Sequence, residues 1–192
     1  MVEKVARGLN RLRDVGAAWN ATPAERAATY PCDAYLDAPW RGLVRAIDID
    51  APAPVVFRWL CQLKVAPYSY DLLDNAGRRS PRDLTPGAED LEVGQPFLVF
   101  TITEYEPDRH ISGTGREPFT RLYGPLAVIY TIVRRDERAC RLVVKLHVGI
   151  EGWWQRSRAA ALAVGDVVMM RKQLLNLKAL AEAPRRRGRA AR

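Results

Sequence analysis

Residues 67–75 read PYSYDLLDN, setting two tyrosines, two aspartates and an asparagine within nine positions. A phenol and a carboxylate held side by side can orient a ligand carbonyl or relay a proton during an aldol-type closure. Tyr70 and Asp74 stand four apart, as do Asp71 and Asn75, so each pair shares a face if the segment is helical. The same letters also read as helix punctuation. Ser69 suits an N-cap, Asp71 at the second helical position complements the dipole, and Asn75 with Gly77 can end two turns. Capping accounts for Ser69, Asp71 and Gly77 but not for the tyrosines. Tyr68 and Tyr70 are therefore candidate ligand contacts with Asn75, and Tyr70 and Asp71 are candidate acid–base groups. Glu104 is a third candidate: it continues the alternation of Leu98, Phe100 and Ile102, and a partly buried carboxyl has a raised pKa and can act as a base.

The flanking elements must position these groups. Leu43, Arg45, Ile47 and Ile49 alternate against Val44, Ala46 and Asp48, which predicts a strand. APAPVVFRWLCQL then restarts a helix, with Pro52 and Pro54 tolerated only before or in its first turn. Val56, Trp59, Leu60 and Leu63 form its buried stripe. A long polar connection follows. From Phe97 the pattern turns β-like, and RLYGPLAVIYTIV and CRLVVKLHVGI read as two longer strands around the turn RRDERA. Tyr130 shares a face with Leu126, Val128 and Ile132, so it is a wall residue with a polar tip. Arg141, Lys145 and His147 share the opposite face of the last strand from Leu142, Val144, Leu146 and Val148, which predicts an outer-surface position for His147; His110 falls in a turn.

Ala160, Ala163, Val167, Met170, Leu174, Leu177 and Ala181 recur at three–four spacing and predict a long amphipathic helix. Val164, Val168 and Leu175 lie roughly opposite. A helix apolar on two sides needs two covers, the strands and either the N-terminal helix or a second subunit, so a homodimer is one expectation. That N-terminal helix is read over residues 2–19, followed by a capping box at Thr22, Pro23 and Glu25. Arg171 lies off the main stripe and could anchor an anionic ligand or pair with a neighbouring acid.

The chain has 192 residues, 48% of them hydrophobic, enough for one domain with a buried core. No run approaches a membrane span. The first residues lack an apolar signal region, so a cytoplasmic location is expected. The net charge of +8 includes +5 from the tail PRRRGRAAR, leaving the body nearly balanced; the tail reads as a basic disordered appendage, with nucleic-acid association through it only a third reading behind ligand binding and cyclisation. Cys32, Cys61 and Cys140 form no C-x-x-C pair and stand far from both histidines, so neither a metal site nor a disulfide framework is expected. There is no G-x-S-x-G, phosphate-cradling loop, dinucleotide fingerprint or H-E-x-x-H, and no cofactor is expected.

The order strand, helix, short helix, antiparallel strands, long C-terminal helix is an α+β plan in which a curved sheet wraps a helix. RAIDIDAPAPVVFRWLCQL, then YSYDLLDN, LEVGQ and GDVVMMRKQLLNLKALAE, resembles the SRPBCC (START-like, helix-grip) superfamily, and more narrowly its polyketide cyclase/dehydrase-like members. The resemblance runs from about Tyr30 to Glu182. It divides the chain into an N-terminal helical extension (1–29), a helix-grip domain (30–183) and the basic tail (184–192). It implies a deep cavity between sheet and C-terminal helix that holds a hydrophobic small molecule, polyketide- or lipid-like. Trp59, Tyr68, Asn75, Phe100, Tyr130, Met170 and Arg171 are the expected ligand contacts. A carrier or sensor would only sequester the ligand, whereas a cyclase would use Tyr70, Asp71 or Glu104 to move protons. The family shares the cavity rather than one catalytic motif, so the fold indicates a ligand class better than a reaction.

Overall fold

The computed structural model describes residues 17–37, 39–75, 77–150 and 153–190. Most of the predicted N-terminal helix falls outside them, and its described end is a short strand, β1 (Ala18–Trp19). Helix α1 (Pro23–Ala27) opens with the expected capping box, Thr22 and Glu25 each accepting from the other's backbone N–H. A 3-10 turn (Pro31–Ala34) leads to β2 (Trp40–Ile49) and α2 (Ala53–Cys61). A second 3-10 turn (Gln62–Lys64), the short α3 (Asp71–Asp74) and a long connection precede β3 (Pro96–Phe97), β4 (Phe100–Glu106) and β5 (His110–Gly115). Then come α4 (Phe119–Tyr123), β6 (Leu126–Arg134), β7 (Cys140–Gly149) and α5 (Trp153–Ala190). No described helix is long and apolar enough to cross a membrane.

The strands form one sheet in the order β1-β2-β7-β6-β5-β4-β3, parallel at β1–β2 and antiparallel elsewhere. Period-2 alternation gives β2, β6 and β7 two distinct faces. Leu43, Ile47, Ile49, Val128, Ile132, Leu142 and Val144 turn inward and form one cluster with Val56, Trp59, Leu60 and Leu63 of α2 and Leu174, Leu177 and Ala181 of α5. Of the three–four spacing read in the C-terminal helix, Ala163, Leu174, Leu177 and Ala181 join this cluster and Met170 packs against it, whereas the Ala160 and Val164 side chains lie outside the described residues. Val168 and Leu175 are exposed among the described residues.

The outer face differs from expectation. Residues 20–37 form a strap across it: Tyr30, Tyr35 and Leu36 pack on Cys32, Ala127 and Ile129, and Ala21 and Tyr30 on Val44, Ala46 and Val143. Arg141, Lys145 and His147 are consequently buried rather than solvated. The burial is tolerable because the cations meet strap acids, Arg141 on Glu25 and Lys145 on Asp33. Three local readings also change. Residues 121–123 belong to α4 rather than a strand, because the cap at Gly124 (φ 84°) separates them from β6. Leu98 (φ 54°) sits in the left-handed bend between β3 and β4, not in a strand. The C-terminal helix continues through Pro184 to Ala190, where the sequence places a disordered tail.

Candidate functional site

Two charged residues enter the inner face. Arg45 continues the Leu43–Ile47–Ile49 register of β2, and Asp166 lies on α5 between Ala163 and Met170. Their side chains meet at 2.9 Å, with Arg45 only 1% exposed. Arg45 also donates to the Val44 carbonyl at 3.1 Å. Burial pushes the Asp166 carboxyl up to about 6 although Arg45 opposes it, and burial likewise lowers Arg45. Both directions indicate that desolvation outweighs attraction here. The Tyr130 phenol, itself pushed up by burial and by the Asp166 charge, donates to Gln173 Oε1 at 2.9 Å and has Met170 Sδ at 3.8 Å. Gln173 Nε2 donates to the Pro67 carbonyl at 2.7 Å, and Asn176 Nδ2 to that of Tyr68 at 2.9 Å. The Tyr68 phenol reaches Gln62 Oε1 at 3.4 Å; burial pushes it to about 12, so it stays a donor at neutral pH. Gln62 Nε2 is buried with no hydrogen-bond partner.

Separate polar contacts thus interrupt the apolar cluster: the Arg45–Asp166 pair, the Tyr130–Gln173 bond and the Tyr68–Gln62 contact. Of the expected ligand contacts, Trp59, Tyr68, Phe100 and Tyr130 are buried in that cluster and Met170 packs against it. Trp59 meets Tyr68 edge-on at 6.1 Å, and Phe97 meets Tyr130 at 5.6 Å. These aromatic side chains pack together between the sheet and the C-terminal helix.

Tyr70, Asp71 and Asn75 stay outside the cluster. Tyr70 rather than Ser69 is the N-cap residue of α3, and it is 39% exposed. Asp71 accepts from the Ser80 hydroxyl at 2.6 Å and from its N–H at 3.0 Å. Asn75 Nδ2 donates to the Arg78 carbonyl at 2.6 Å, and Gly77 adopts the expected left-handed φ of 77°. Arg171 is exposed and lies over the Trp19 ring, 5.9 Å from its centroid.

No protein-family model and no curated protein sequence matches the chain. Solved structures do. Norcoclaurine synthase from Thalictrum flavum superposes with a TM-score of 0.50 at 10% identity, over 82% of this chain and 93% of that one. A truncated form of it gives 0.50 at 9% identity, over 76% and 95%. The Zhui aromatase/cyclase from Streptomyces sp. R1128 aligns over 80% of this chain and 98% of its own at 17% identity, with a TM-score of 0.43. The chain has the helix-grip fold.

Within this helix-grip frame the interior groups lie between sheet and gripped helix, and Glu104 does not. A bulge between Ile102 and Glu104 inserts one residue into β4, so the alternation reverses and Glu104 turns to the outer face. There it accepts from the Tyr35 hydroxyl at 3.0 Å and meets His110 Nε2 at 2.8 Å, with the Ser112 hydroxyl 2.9 Å from that of Tyr35. His110 also borders an outer-face cleft of about 840 Å³ between the strap, the β4–β5 turn and the start of α2. Arg45 was read only as part of a strand's alternation, and Asp166, Gln173 and Gln62 were not singled out. The available signal was a charge in a core-facing register: Arg45 at period two between Leu43 and Ile47, and Asp166 at spacings of three and four from Ala163 and Met170.

Proposed function

We propose that this helix-grip protein binds a small molecule of apolar body and one hydrogen-bonding or anionic oxygen between the inner sheet face and α5. The observation that carries the reading is the Arg45–Asp166 pair, two opposite charges that meet at 2.9 Å between the sheet and α5. Packing does not require such a pair, and apolar residues of similar volume are often as stable or more so. Arg45 would meet the ligand's oxygen and the Tyr130 phenol would donate to it. Trp59, Tyr68 and Phe100 would supply apolar walls. Met170, unbranched and half-buried beside Tyr130, is the side chain suited to swinging aside.

Binding of 1-anilinonaphthalene-8-sulfonate, an apolar body with one anionic head, tests this. The wild-type chain should bind it saturably, and Arg45→Met/Asp166→Leu should weaken binding about tenfold or more at unchanged circular dichroism, the size expected for a lost buried polar contact. Equal affinity in the double variant would sink the proposal.

A catalytic reading of the same interior is favoured by Asp166, whose carboxyl at about 6 is close to the range of a general acid–base group. Asp71 and Glu104 are occupied in holding a loop and an outer-face network. Proton transfer, as in a cyclase or dehydratase, would therefore fall to Asp166 with Tyr130 as donor. Turnover of an identified substrate surviving in Asp166→Asn would exclude that role.

A further inference from the structure

Beneath the strap lies a group of side chains outside the proposed ligand site. Cys32 and Asp33 come from the strap's 3-10 turn and His147 from β7, and one ligand atom from each lies within 4.8 Å of the others. Asp33 Oδ1 is 3.1 Å from His147 Nε2 and 3.9 Å from Cys32 Sγ. Around a tetrahedral zinc ion with bonds of roughly 2.0–2.3 Å, neighbouring donor atoms stand roughly 3.3–3.7 Å apart, so these separations bracket the required size.

His147 is the observation that points to a ligand. It is 0% exposed, and although Asp33 Oδ1 lies 3.1 Å from Nε2 and the Cys32 backbone also faces the ring, neither ring nitrogen makes an in-line hydrogen bond. The ring is fixed by stacking on Trp40, with centroids 3.6 Å apart and planes at 11°. A plain Asp33–Lys145 ion pair explains both of its members and leaves this imidazole without an in-line hydrogen bond. A metal ion at its lone pair satisfies it.

We propose that Cys32, Asp33 and His147 form a site for a zinc-class divalent transition metal that clamps the strap to the sheet. A mixed sulfur, nitrogen and oxygen donor set selects such ions over calcium or magnesium, which take oxygen ligands. Lys145 does not block the ion. Its ammonium lies 2.8 Å from Asp33 Oδ1, but it also reaches Oδ2 at 3.0 Å and the Ala28 carbonyl at 3.2 Å. It stands over the rings of Tyr30 and Trp40 as well, at 4.9 and 5.4 Å. Oδ2, which also accepts the Tyr30 N–H at 3.0 Å, can keep Lys145 while Oδ1 turns to the metal. On binding, the Cys32 thiol releases its proton to solvent. The dication, the thiolate and the Asp33 carboxylate then sum to zero, and the Lys145 charge retains its carbonyl, carboxylate and aromatic partners. Three protein ligands leave a fourth position for water.

The full chain, stripped with chelator under reducing conditions and titrated with cobalt(II), provides the test. One equivalent should bind and give the near-ultraviolet thiolate-to-cobalt absorption, and zinc should displace it. Cys32→Ser should abolish the band, His147→Gln should weaken binding more than about tenfold, and Cys61→Ser and Cys140→Ser should leave both unchanged. Absence of a thiolate band from the wild-type chain overturns the proposal without recourse to any variant. A band that persists in Cys32→Ser overturns it equally.

Discussion

Asp71 holds Tyr68 in place through Ser80. Its carboxylate takes both the hydroxyl and the N–H of Ser80, and the Ser80 oxygen accepts the Tyr68 N–H at 3.2 Å. Tyr68 needs the support, because its φ of 55° is left-handed and costs a residue with a Cβ about 1–3 kcal/mol. In return its ring enters the core against Trp59. Asp71→Ala should therefore lower unfolding free energy by about 1–3 kcal/mol and flatten the near-ultraviolet circular dichroism of the aromatic cluster. Urea denaturation checks this, and an unchanged midpoint would assign the carboxylate to something other than scaffolding.

Tyr130→Phe isolates the central hydrogen bond. The ring stays against Phe97, while Gln173 Oε1 loses its donor inside the protein. A loss of about 1–2 kcal/mol is expected from the stranded amide oxygen, measured by the same denaturation curves. Gln173→Leu also strands the Pro67 carbonyl, so the double variant should lose less than the sum of the two single losses, because the shared bond is counted once. A double variant less stable than the sum of the two single losses would contradict the assignment.

The strap should detach in acid. Arg141 hydrogen-bonds Glu25 and holds its carboxyl down at about 2, against an ordinary 4.5, with burial opposing. A depressed carboxyl stabilises the folded state at pH above its free value, and that contribution is lost as pH falls from about 4.5 towards 2. Amide hydrogen exchange in residues 20–37 should accelerate across that window before exchange in β6 and β7 does. In Glu25→Gln the strap should exchange faster at neutral pH and respond less to acid.

The layout was legible where periodicity was strong. Alternation in β2, β6 and β7 and the three–four stripe of α5 each mark a face that a single core must cover. Thr22, Pro23 and Glu25 were readable because a capping box is wholly local. Glu104 was misplaced because the β4 bulge reverses alternation, and no glycine or proline in FTITEYE announces it. Arg141, Lys145 and His147 read as a solvated face because the strap acids that bury them lie more than a hundred residues earlier. The opening PYSYDLLDN was read for chemistry, and its first aspartate is hydrogen-bonded to Ser80. A carboxylate capping a loop and one poised over a substrate are the same letter, so Ser80, nine residues on, could not be read from the segment itself.

Replacing the buried pair as a unit separates stability from function. Asp166→Leu alone leaves Arg45 charged in the interior and should cost about 3–5 kcal/mol. Arg45→Met/Asp166→Leu removes both desolvated charges and should be neutral or up to about 4 kcal/mol more stable, while ligand binding is lost. The pair also sets a pH dependence opposite in sign to that of Glu25. The Asp166 carboxyl rises from 3.8 to about 6 on folding, so between those values the folded chain holds a proton that the unfolded chain has released. Its contribution is therefore most favourable below pH 3.8 and declines as pH rises through about 6. Subtracting the stability curve of the double variant from that of wild type, measured by urea denaturation from pH 4 to 8, should leave this descending step. A flat difference would mean that Asp166 titrates normally, and the acid–base reading of the interior would fall with it.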